Sequence, residues 1–434
     1  MQIRLGIVLV WFFASHFIFA QGVSQSPFAQ FGYGDLEYLA NARLQGMGGS
    51  GSSLINSSQI NLKNPATAAY NRQNVIFEGG FYGQNANFST STDKQTILSG
   101  NINYLALLVP ISAKNWTVIA GINPFSNANT KFATLAKVTS ADSSYISNSV
   151  TIDGGLNQVF LTNAIKLPAG FSIGLTTSLV FGTINRRNEG LGEYINNGAR
   201  ETPATKTVVR SQEIYRFIDF KLGLGYNKLI NANYAIGIAA TGTFNQNISA
   251  ERVLINSINS NNLSAGLSGF VIYSDTISTE QISAKLPSVY TFGVNFDRVN
   301  RWSFALDYTF TDYSQYKSFD PINVYTSGGH RIALGSEFTP DYQAIRGYFK
   351  RAVYRAGIYY ASLPFTLKNT EINDFGGSLG LGLPVGKGGI GMLNLAVAVG
   401  RRGTTQNGLI EENYLKFFVG VNINDRWFIR YKID

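Results

Sequence analysis

The sequence predicts an all-β protein, a transmembrane antiparallel β-barrel of about 14 strands with an N-terminal plug inside the lumen. Three observations lead to this fold class. Apolar residues recur with a period of two, short and long connections alternate along the chain, and a glycine-rich segment poor in strand signals precedes the first predicted strand. A barrel closed by its own N-terminal segment implies a different function from an open pore.

The composition is unusual for a soluble globular protein. Charged residues make up 14% of the 434 residues and aromatic residues 13%, and there are 45 glycines. Charged residues normally account for about a quarter of a soluble domain. The mean hydropathy is nevertheless +0.00, which argues against a helical membrane protein. Strands with one apolar and one polar face average to a neutral value, so this composition favours a barrel.

Alternation with a period of two is clearest in the last third of the chain, in residues 303–310, 393–399 and 415–423. Successive side chains of a strand lie on opposite faces, so the pattern fits one face toward lipid and one toward a polar lumen. A soluble β-sandwich or propeller is the alternative, but it would need shorter strands and more charge. Strands are predicted at 74–88, 99–112, 115–125, 157–167, 170–185, 213–228, 232–248, 285–297, 301–316, 329–339, 350–361, 371–385, 389–400 and 413–423.

The connections between these strands alternate in length. Outer-membrane barrels have short periplasmic turns and longer extracellular loops. Short turns are predicted at 113–115, 168–170 and 297–300, and long polar loops near 126–155, 186–212 and 249–280. Aromatic residues near the predicted strand ends are expected to form girdles at the lipid interface: Trp116, Phe125, Trp302, Tyr313 and Tyr316.

The first 20 residues are expected to be a cleaved export signal. Arg4 supplies a positive charge, residues 5–19 are almost wholly apolar, and Ala20 offers a small residue at the expected cut. An uncleaved anchor is the alternative, although the run is short for a bilayer span. The predicted division is a signal peptide at 1–20, a plug at 21–72, a barrel at 73–424 and a tail or last short strand at 425–434.

The C-terminal tail bears on the number of strands. Residues 427–433 alternate again and would add one strand to an otherwise even set. Closed single-chain bacterial barrels normally have an even number of strands. We therefore expect 14 strands plus a tail, with 16 strands as the alternative.

The plug is predicted from its glycines and its apolar residues. Gly46, Gly48, Gly49 and Gly51, which surround Met47, would permit tight backbone turns. The triplet Asn64-Pro65-Ala66 would form a corner, since proline restricts the backbone. A flexible periplasmic linker is the alternative, but interleaved apolar residues favour burial: Leu39, Leu44, Leu54, Ile55, Ile60 and Leu62.

Several segments resemble the FadL / OmpP1 / TodX family of outer-membrane transporters for hydrophobic compounds. They occur in the family's order and touch most of the chain. They are residues 45–51 with the Asn64-Pro65-Ala66 motif, residues 286–294 leading to 302–308, and residues 355–360 followed by 380–384. Residues 400–403 and 425–428 are similar to a Bacteroidetes-type subgroup of these barrels.

The resemblance implies passive uptake of hydrophobic small molecules, of the long-chain fatty acid or aromatic hydrocarbon type, across the outer membrane. The plug would act as a hatch, and the substrate would leave sideways through the barrel wall. In the family the third strand carries the kink that opens the wall, and proline cannot donate to a strand ladder. A lateral opening is therefore expected at Gly121, Asn123, Pro124 and Phe125. Alternatively, Pro124 simply ends the strand.

Basic residues could hold the carboxylate of such a substrate. Arg346, Lys350, Arg351 and Arg355 are the candidates for this carboxylate-binding site. The alternative is that charges in a polar lumen pair with each other. Lys416, Asp307 and Lys221 are further candidates for charges that face the lumen.

The sequence argues against catalysis, cofactors and bound metals. It has no cysteine, and His330 has no partner histidine or acidic cluster with which to build a metal site or a catalytic triad. The glycine-rich segment lacks the Lys-Ser/Thr of a phosphate-binding loop. Basic residues are scattered rather than clustered, so no nucleic acid is expected. The expected partners are outer-membrane lipid and lipopolysaccharide, a hydrophobic ligand and other outer-membrane proteins.

Two other functions are compatible with the same sequence. The barrel could be an accessory or shuttle subunit of an outer-membrane protein secretion or assembly complex, whose partners would dock on the long loops or the tail. It could also be a simple aqueous porin, which would require an open lumen rather than a plugged one.

Overall fold

Fourteen antiparallel strands form a closed barrel in the computed structural model, which describes residues 26–36, 40–137, 144–196, 199–244, 246–261, 270–316, 328–386 and 390–425. The barrel strands are β2 (Val75–Ser89), β3 (Lys94–Ser112), β4 (Trp116–Asn127), β6 (Ser144–Lys166), β7 (Phe171–Asn196), β9 (Thr205–Leu229), β10 (Tyr234–Thr243), β13 (Ser288–Arg298), β14 (Trp302–Asp312), β15 (Gly328–Phe338), β16 (Val353–Leu367), β17 (Thr370–Val385), β18 (Gly391–Gly403) and β19 (Glu411–Asp425). Each pairs with the next, and β19 pairs with β2 to close the sheet. The predicted fold class is confirmed, and each predicted strand overlaps one barrel strand.

The two faces of the wall differ in chemistry, as the alternation predicts. In β14, Phe304 and Leu306 are exposed on the outside, whereas Ala305 and Asp307 are each only 1% exposed and face the lumen. Similar rows of exposed apolar side chains lie on other strands around the barrel, which gives the outer surface an apolar belt. None of the helical turns in the described ranges has the length and hydropathy to cross a bilayer.

Aromatic residues gather at the end of the barrel that carries the short connections. Trp302 lies 5.5 Å from Phe296 between ring centroids, and Phe296 stacks on Tyr234 at 5.6 Å. Trp116 is exposed at the same end. Phe125 and Tyr316 were predicted to belong to a girdle, but both instead pack against a buried apolar cluster inside the outer end of the barrel. The short connections mark the periplasmic end.

The long polar segments were predicted to be loops. In the structure they are instead extensions of the sheet. β6, β7 and β9 continue well beyond the rim, with 23, 26 and 25 residues. The added strands are β5 (Thr130–Lys137), β8 (Ala199–Glu201), β11 (Asn247–Ser260) and β12 (Val271–Lys285). The prediction failed because a ladder in water needs no apolar outer face, so Ser, Asn and Thr serve in its strands as well as in loops. We call this six-stranded projection, in the order β5-β6-β7-β9-β11-β12, the outer sheet.

The N-terminal segment fills the lumen, as predicted. Its local elements are a 3-10 turn at Pro27–Gln30, β1 (Asp35–Leu36), an α-helical turn at Ala42–Gln45 and a second 3-10 turn at Pro65–Tyr70. Most of its described side chains are buried, among them Leu44, Met47, Leu54 and Ile60. We call residues 26–72 the hatch. The remaining 3-10 turns are Pro168–Gly170, Tyr348–Lys350 and Gln406–Gly408.

Two predicted segments lie largely or wholly outside the described residues. The signal peptide at 1–20 is one of them. The tail at 425–434 is the other, except for Asp425, which is the last residue of β19. Both assignments stay predictions.

Candidate functional site

The hatch backbone packs closely against the wall because glycines lie at the contact on both sides. Gly48 and Gly49 have φ angles of +68° and +78°, a region that favours glycine. A Cβ atom on Gly357 of β16 would lie 2.0 Å from the carbonyl carbon of Met47, and one on Gly48 would lie 2.9 Å from the backbone of Ile358. The predicted glycines therefore allow backbone to lie directly on backbone.

A buried carboxylate on β14 holds the glycine-rich turn. Asp307 accepts hydrogen bonds from the backbone N–H groups of Gly51 and Ser52, each at 3.0 Å, and from Ser52 Oγ at 2.9 Å. Lys63 of the hatch forms an ion pair with the same carboxylate at 2.7 Å. Charge-assisted bonds of this kind are the stronger class of hydrogen bond, so Asp307 is a principal anchor of the hatch.

A second anchor is a buried group of three charges. Glu337 of β15 pairs with Arg43 of the hatch at 2.8 Å and with Arg355 of β16 at 3.2 Å. Arg355 also donates to Asn394 at 2.9 Å. Burial lowers the pKa of Arg43, but the Glu337 carboxylate more than offsets this and raises the pKa above its ordinary value. The charged form of Arg43 therefore links the hatch to two strands.

A third anchor is Glu78 of β2. Its carboxylate accepts from Asn41 Nδ2 at 2.8 Å and from the Ile60 N–H at 2.9 Å, both in the hatch. Asn41 also caps the α-helical turn, since its Oδ1 accepts from the Leu44 N–H at 3.1 Å. The wall residue Tyr104 donates to Glu78 at 2.7 Å. One carboxylate thus orders two separate parts of the hatch.

The Asn64-Pro65-Ala66 corner rests on the opposite side of the barrel. Asn64 Oδ1 accepts from the Ala66 N–H at 3.0 Å, and its Nδ2 donates to the Leu224 carbonyl of β9 at 3.1 Å. A Cβ atom on Gly174 of β7 would lie 2.4 Å from the carbonyl carbon of Pro65. The corner therefore bridges two wall strands.

The outer part of the hatch is also tied to the wall. Arg186 of β7 donates to the Gln30 carbonyl at 2.7 Å. Arg402 of β18 pairs with Asp35 at 2.7 Å, and Ser26 donates to Glu412 of β19 at 2.8 Å. Polar contacts therefore join the hatch to the wall from its first described residue onward.

Two of the cavities in the described part of the barrel border the hatch. One, of about 180 Å³, has a mixed polar and apolar lining that includes the charged residues Asp374, Arg402, Glu412 and Lys416. Lys416 Nζ lies 4.9 Å from the centre of the Tyr414 ring. Its prediction as a lumen-facing charge therefore agrees with its position.

The other cavity, of about 160 Å³, is mostly apolar. Its lining includes Ile119, Phe125 and Phe160 of the wall, Leu62 of the hatch, and the titratable residues Asp219 and Lys221. We call it the apolar cavity.

The wall is interrupted beside the apolar cavity. β3 and β4 pair from Ser112/Trp116 up to Leu105/Ile122, and above that point no described residue of β4 pairs with β3. Instead, Ser126 and Asn127 pair with β1 of the hatch. A register shift between Pro124 and Ser126 marks a bulge. We call the gap between residues 94–104 of β3 and residues 123–127 of β4 the seam.

The residues predicted for a lateral opening lie at the lower end of the seam or, in the case of Gly121, just below it. Gly121 has no room for a side chain, because a Cβ atom would lie 2.5 Å from the Leu105 carbonyl oxygen. Asn123 is buried and accepts from Gln158 at 3.1 Å. Phe125 packs edge-on against Phe217 at 5.9 Å. The structure thus brings these predicted residues together, at a break in the ladder.

The structure does not bring the four predicted carboxylate-binding residues together. Arg346, Lys350 and Arg351 are exposed in the connection between β15 and β16, at the periplasmic end. Only Arg355 faces the lumen, where it is paired with Glu337. Proximity in the sequence was misleading here because the chain leaves the wall between Phe338 and Val353.

The remaining titratable candidates form no catalytic or metal site among the described residues. His330 is exposed on the outer face, and its Nδ1 lies 2.7 Å from the Tyr308 hydroxyl. No group of three or more His, Cys, Asp or Glu side chains with metal-binding geometry occurs within the described ranges.

These features define a class of protein: an outer-membrane β-barrel whose lumen is occupied by an N-terminal hatch. A family model described as BamG matches residues 1–434, so the chain belongs to the BamG family. No curated protein sequence matches it significantly. The family match does not confirm membership of the FadL / OmpP1 / TodX family, which the sequence resembles.

Three of the solved structures with a similar fold are a FadL homologue, a toluene transporter and a monoaromatic hydrocarbon channel. A Pseudomonas aeruginosa FadL homologue has a TM-score of 0.58 at 12% identity, covering 92% of this chain and 100% of that one. The P. putida toluene transporter TodX has a TM-score of 0.55 at 15% identity, covering 91% and 100%. The CymD monoaromatic hydrocarbon channel has a TM-score of 0.53 at 14% identity, covering 92% and 99%. At such identities the likeness is one of fold.

Proposed function

We propose that this barrel is an accessory subunit of an outer-membrane protein assembly complex, in which it binds partner proteins and does not conduct. The full-length match to the BamG family supports this role. The fold likeness to hydrophobic-compound channels carries less weight, because one fold hosts many functions. The fixed hatch also supports a closed barrel, since buried charges anchor it to β2, β14, β15 and β18.

The observation that carries the proposal is the free edge of β12. In the described part of the chain, β12 pairs only with β11, and its other edge has no strand partner. Phe270, which directly precedes β12, and Ile272, Tyr273 and Ile277 of β12 are between 57% and 63% exposed. Proteins normally protect exposed strand edges, because these pair readily with other chains. An extended segment of another outer-membrane protein would cover this edge by strand addition.

We expect Ile272→Asp to weaken the recovery of partner proteins. Burial of one such side chain stabilises a contact by roughly 1.5–3 kcal/mol, so partner recovery should fall by about tenfold or more. The measurement is quantitative mass spectrometry of proteins that co-purify with the tagged full-length chain in mild detergent.

Leu135→Asp on β5 is the matched control. Leu135 is 52% exposed on the opposite edge of the outer sheet, so the same charge is introduced into a similar setting. Partner recovery should be unchanged in this variant. Equal recovery from the Ile272→Asp variant and the unaltered chain would contradict docking at β12.

A second candidate function, passage of a hydrophobic small molecule, is favoured by the seam. The apolar cavity shares Phe125 with the seam residues and Leu36 with the hatch strand that pairs there. A solute in this cavity could leave sideways into lipid and stay in apolar surroundings. Fatty acids and aromatic hydrocarbons are the solutes that such a path would suit.

Filling the apolar cavity tests this candidate. If the cavity carries solute, Thr162→Trp should reduce the rate of cellular uptake of a radiolabelled long-chain fatty acid or toluene by about tenfold, the equivalent of 1.4 kcal/mol. Thr162 lines the cavity. Thr134→Trp, on an exposed position of β5, is the control. Unchanged uptake in both variants, with normal protein levels, would rule out this path.

A further inference from the structure

One connection at the periplasmic end differs from the others in length and composition, and it contacts neither the hatch nor the seam in the described hydrogen bonds. Residues 339–352 join β15 to β16, whereas β3–β4, β9–β10 and β13–β14 are joined by short turns at 113–115, 230–233 and 299–301. We call residues 339–352 the rim loop.

The rim loop presents large apolar side chains to its surroundings. Ile345 is 98% exposed and Phe349 is 65% exposed, and Tyr342 and Tyr348 are 50% and 41% exposed. Large exposed apolar patches on a folded protein usually mark a binding surface or a membrane contact.

The rim loop is also basic. Arg346, Lys350 and Arg351 are all exposed, and Asp341 is the loop's only acidic residue. The guanidinium of Arg351 lies 5.7 Å from the centre of the Tyr348 ring. Exposed cations beside aromatic rings match the phosphate region of a membrane, where aromatic residues lie among the headgroups.

Hydrogen bonds hold the rim loop against the outside of the barrel. Tyr354, an exposed residue of the outer face of β16, donates to the Phe349 carbonyl at 3.2 Å. Tyr348 donates to the Pro384 carbonyl of β17 at 2.8 Å. Within the loop, the Asp341 N–H donates to the Lys350 carbonyl at 2.8 Å. The loop therefore continues the lipid-facing surface that Phe338 and Tyr354 begin.

We propose that the rim loop binds anionic phospholipid of the periplasmic leaflet. Ile345 and Phe349 enter the boundary between acyl chains and headgroups, and Arg346, Lys350 and Arg351 bind the phosphate groups. Two observations select lipid as the occupant: the net positive charge of the loop, and its continuity with the apolar belt. This inference does not depend on the proposed function.

Native mass spectrometry of the full-length chain in detergent tests the proposal, with phosphatidylglycerol and phosphatidylcholine as probes. The variant carries Arg346→Gln, Lys350→Gln and Arg351→Gln. Each basic residue near an anionic surface contributes about 1 kcal/mol, so affinity for phosphatidylglycerol should fall by roughly a hundredfold. Affinity for phosphatidylcholine, whose choline group offsets the charge of its phosphate, should fall much less.

The control variant carries Lys114→Gln, Lys228→Gln and Arg298→Gln, three exposed basic positions at the same end but outside the rim loop. It changes the net charge equally and should keep its affinity for phosphatidylglycerol. Equal loss in both variants would overturn the proposal, since net charge alone would then explain binding. Unchanged lipid affinity in the rim-loop variant, together with loss of a co-purifying periplasmic protein, would also overturn it in favour of a protein-docking loop.

Phe349→Ser tests the apolar half of the proposal separately. This variant should lose affinity for both lipids, because it removes a side chain that contacts acyl chains rather than phosphate. Unchanged binding of both lipids would contradict insertion. Phe349 is largely exposed, so the barrel should fold normally, and an unchanged shift between heated and unheated samples on a gel would verify this.

Discussion

Asp307→Ala is expected to release the hatch from the barrel wall and to open the lumen to ions. The substitution leaves the Gly51 and Ser52 N–H groups without their acceptor and Lys63 without its ion-pair partner. Removing one partner of a buried ion pair costs about 3–5 kcal/mol. Because hatch and wall are separate elements, this loss should affect hatch docking more than barrel closure. Steady ion conductance in planar bilayers should rise from almost none in the unaltered protein.

Asp312→Ala is the control for this effect. Asp312 lies on the same strand, at its outer end, where its carboxylate accepts from the Ser314 N–H at 2.9 Å. It has no described hydrogen bond to the hatch, so the lumen should stay closed. If Asp307→Ala and Asp312→Ala both leave the barrel non-conducting, Asp307 is not a principal anchor.

Gly357→Ala is expected to have a comparably large effect without changing any charge. The added Cβ atom would lie 2.0 Å from the Met47 carbonyl carbon and 2.3 Å from the Gly48 nitrogen. Both are backbone atoms and cannot rotate away, so the hatch must move. Overpacking a filled interior costs about 1–3 kcal/mol and sometimes more. Faster proteolysis of the hatch in detergent and a rise in conductance are the expected results.

Gly190→Ala provides the matched comparison. Gly190 is also a strand glycine, but a Cβ atom there meets nothing within 4 Å. This variant should resist proteolysis as well as the unaltered protein does. Equal sensitivity of the two variants would show that glycine flexibility, and not close contact at Met47, accounts for the effect.

The barrel could be predicted from the sequence because its main signal is local. A period of two depends on neighbouring residues, and membrane and lumen impose it on every strand, as Ala305 and Leu306 illustrate. The outer sheet escaped prediction because water lies on both sides of much of it. There, polar residues do not distinguish a strand from a loop.

The hatch was predictable as a buried element, but its anchors were not. Glycines and apolar residues signal close packing, and Asp307 was recognised as a lumen-facing charge. Its partners Ser52 and Lys63 are more than 240 positions away, and no local pattern links such residues. Glu78 and Glu337 were missed for the same reason, although Glu78, as the single charged residue of β2, was a usable signal.

Pro124 predicted part of the structure at the seam. Its missing N–H indicated a break in the ladder, and the ladder with β3 ends nearby, at Ile122. The pairing of β4 with β1 depends on where the hatch lies, which the residues around Pro124 do not encode. The break was therefore predictable, but the hatch strand that pairs with β4 above it was not.

Depletion of the protein from living cells tests the central claim most directly. The measurement is the abundance of other folded outer-membrane barrels, by quantitative proteomics of the outer membrane, alongside uptake of a long-chain fatty acid or toluene. If the protein is an assembly subunit, the abundance of folded barrels should decline, while uptake normalised to cell surface area should be unchanged. Unchanged barrel abundance together with a fall in uptake would contradict the assembly role and favour passage through the seam.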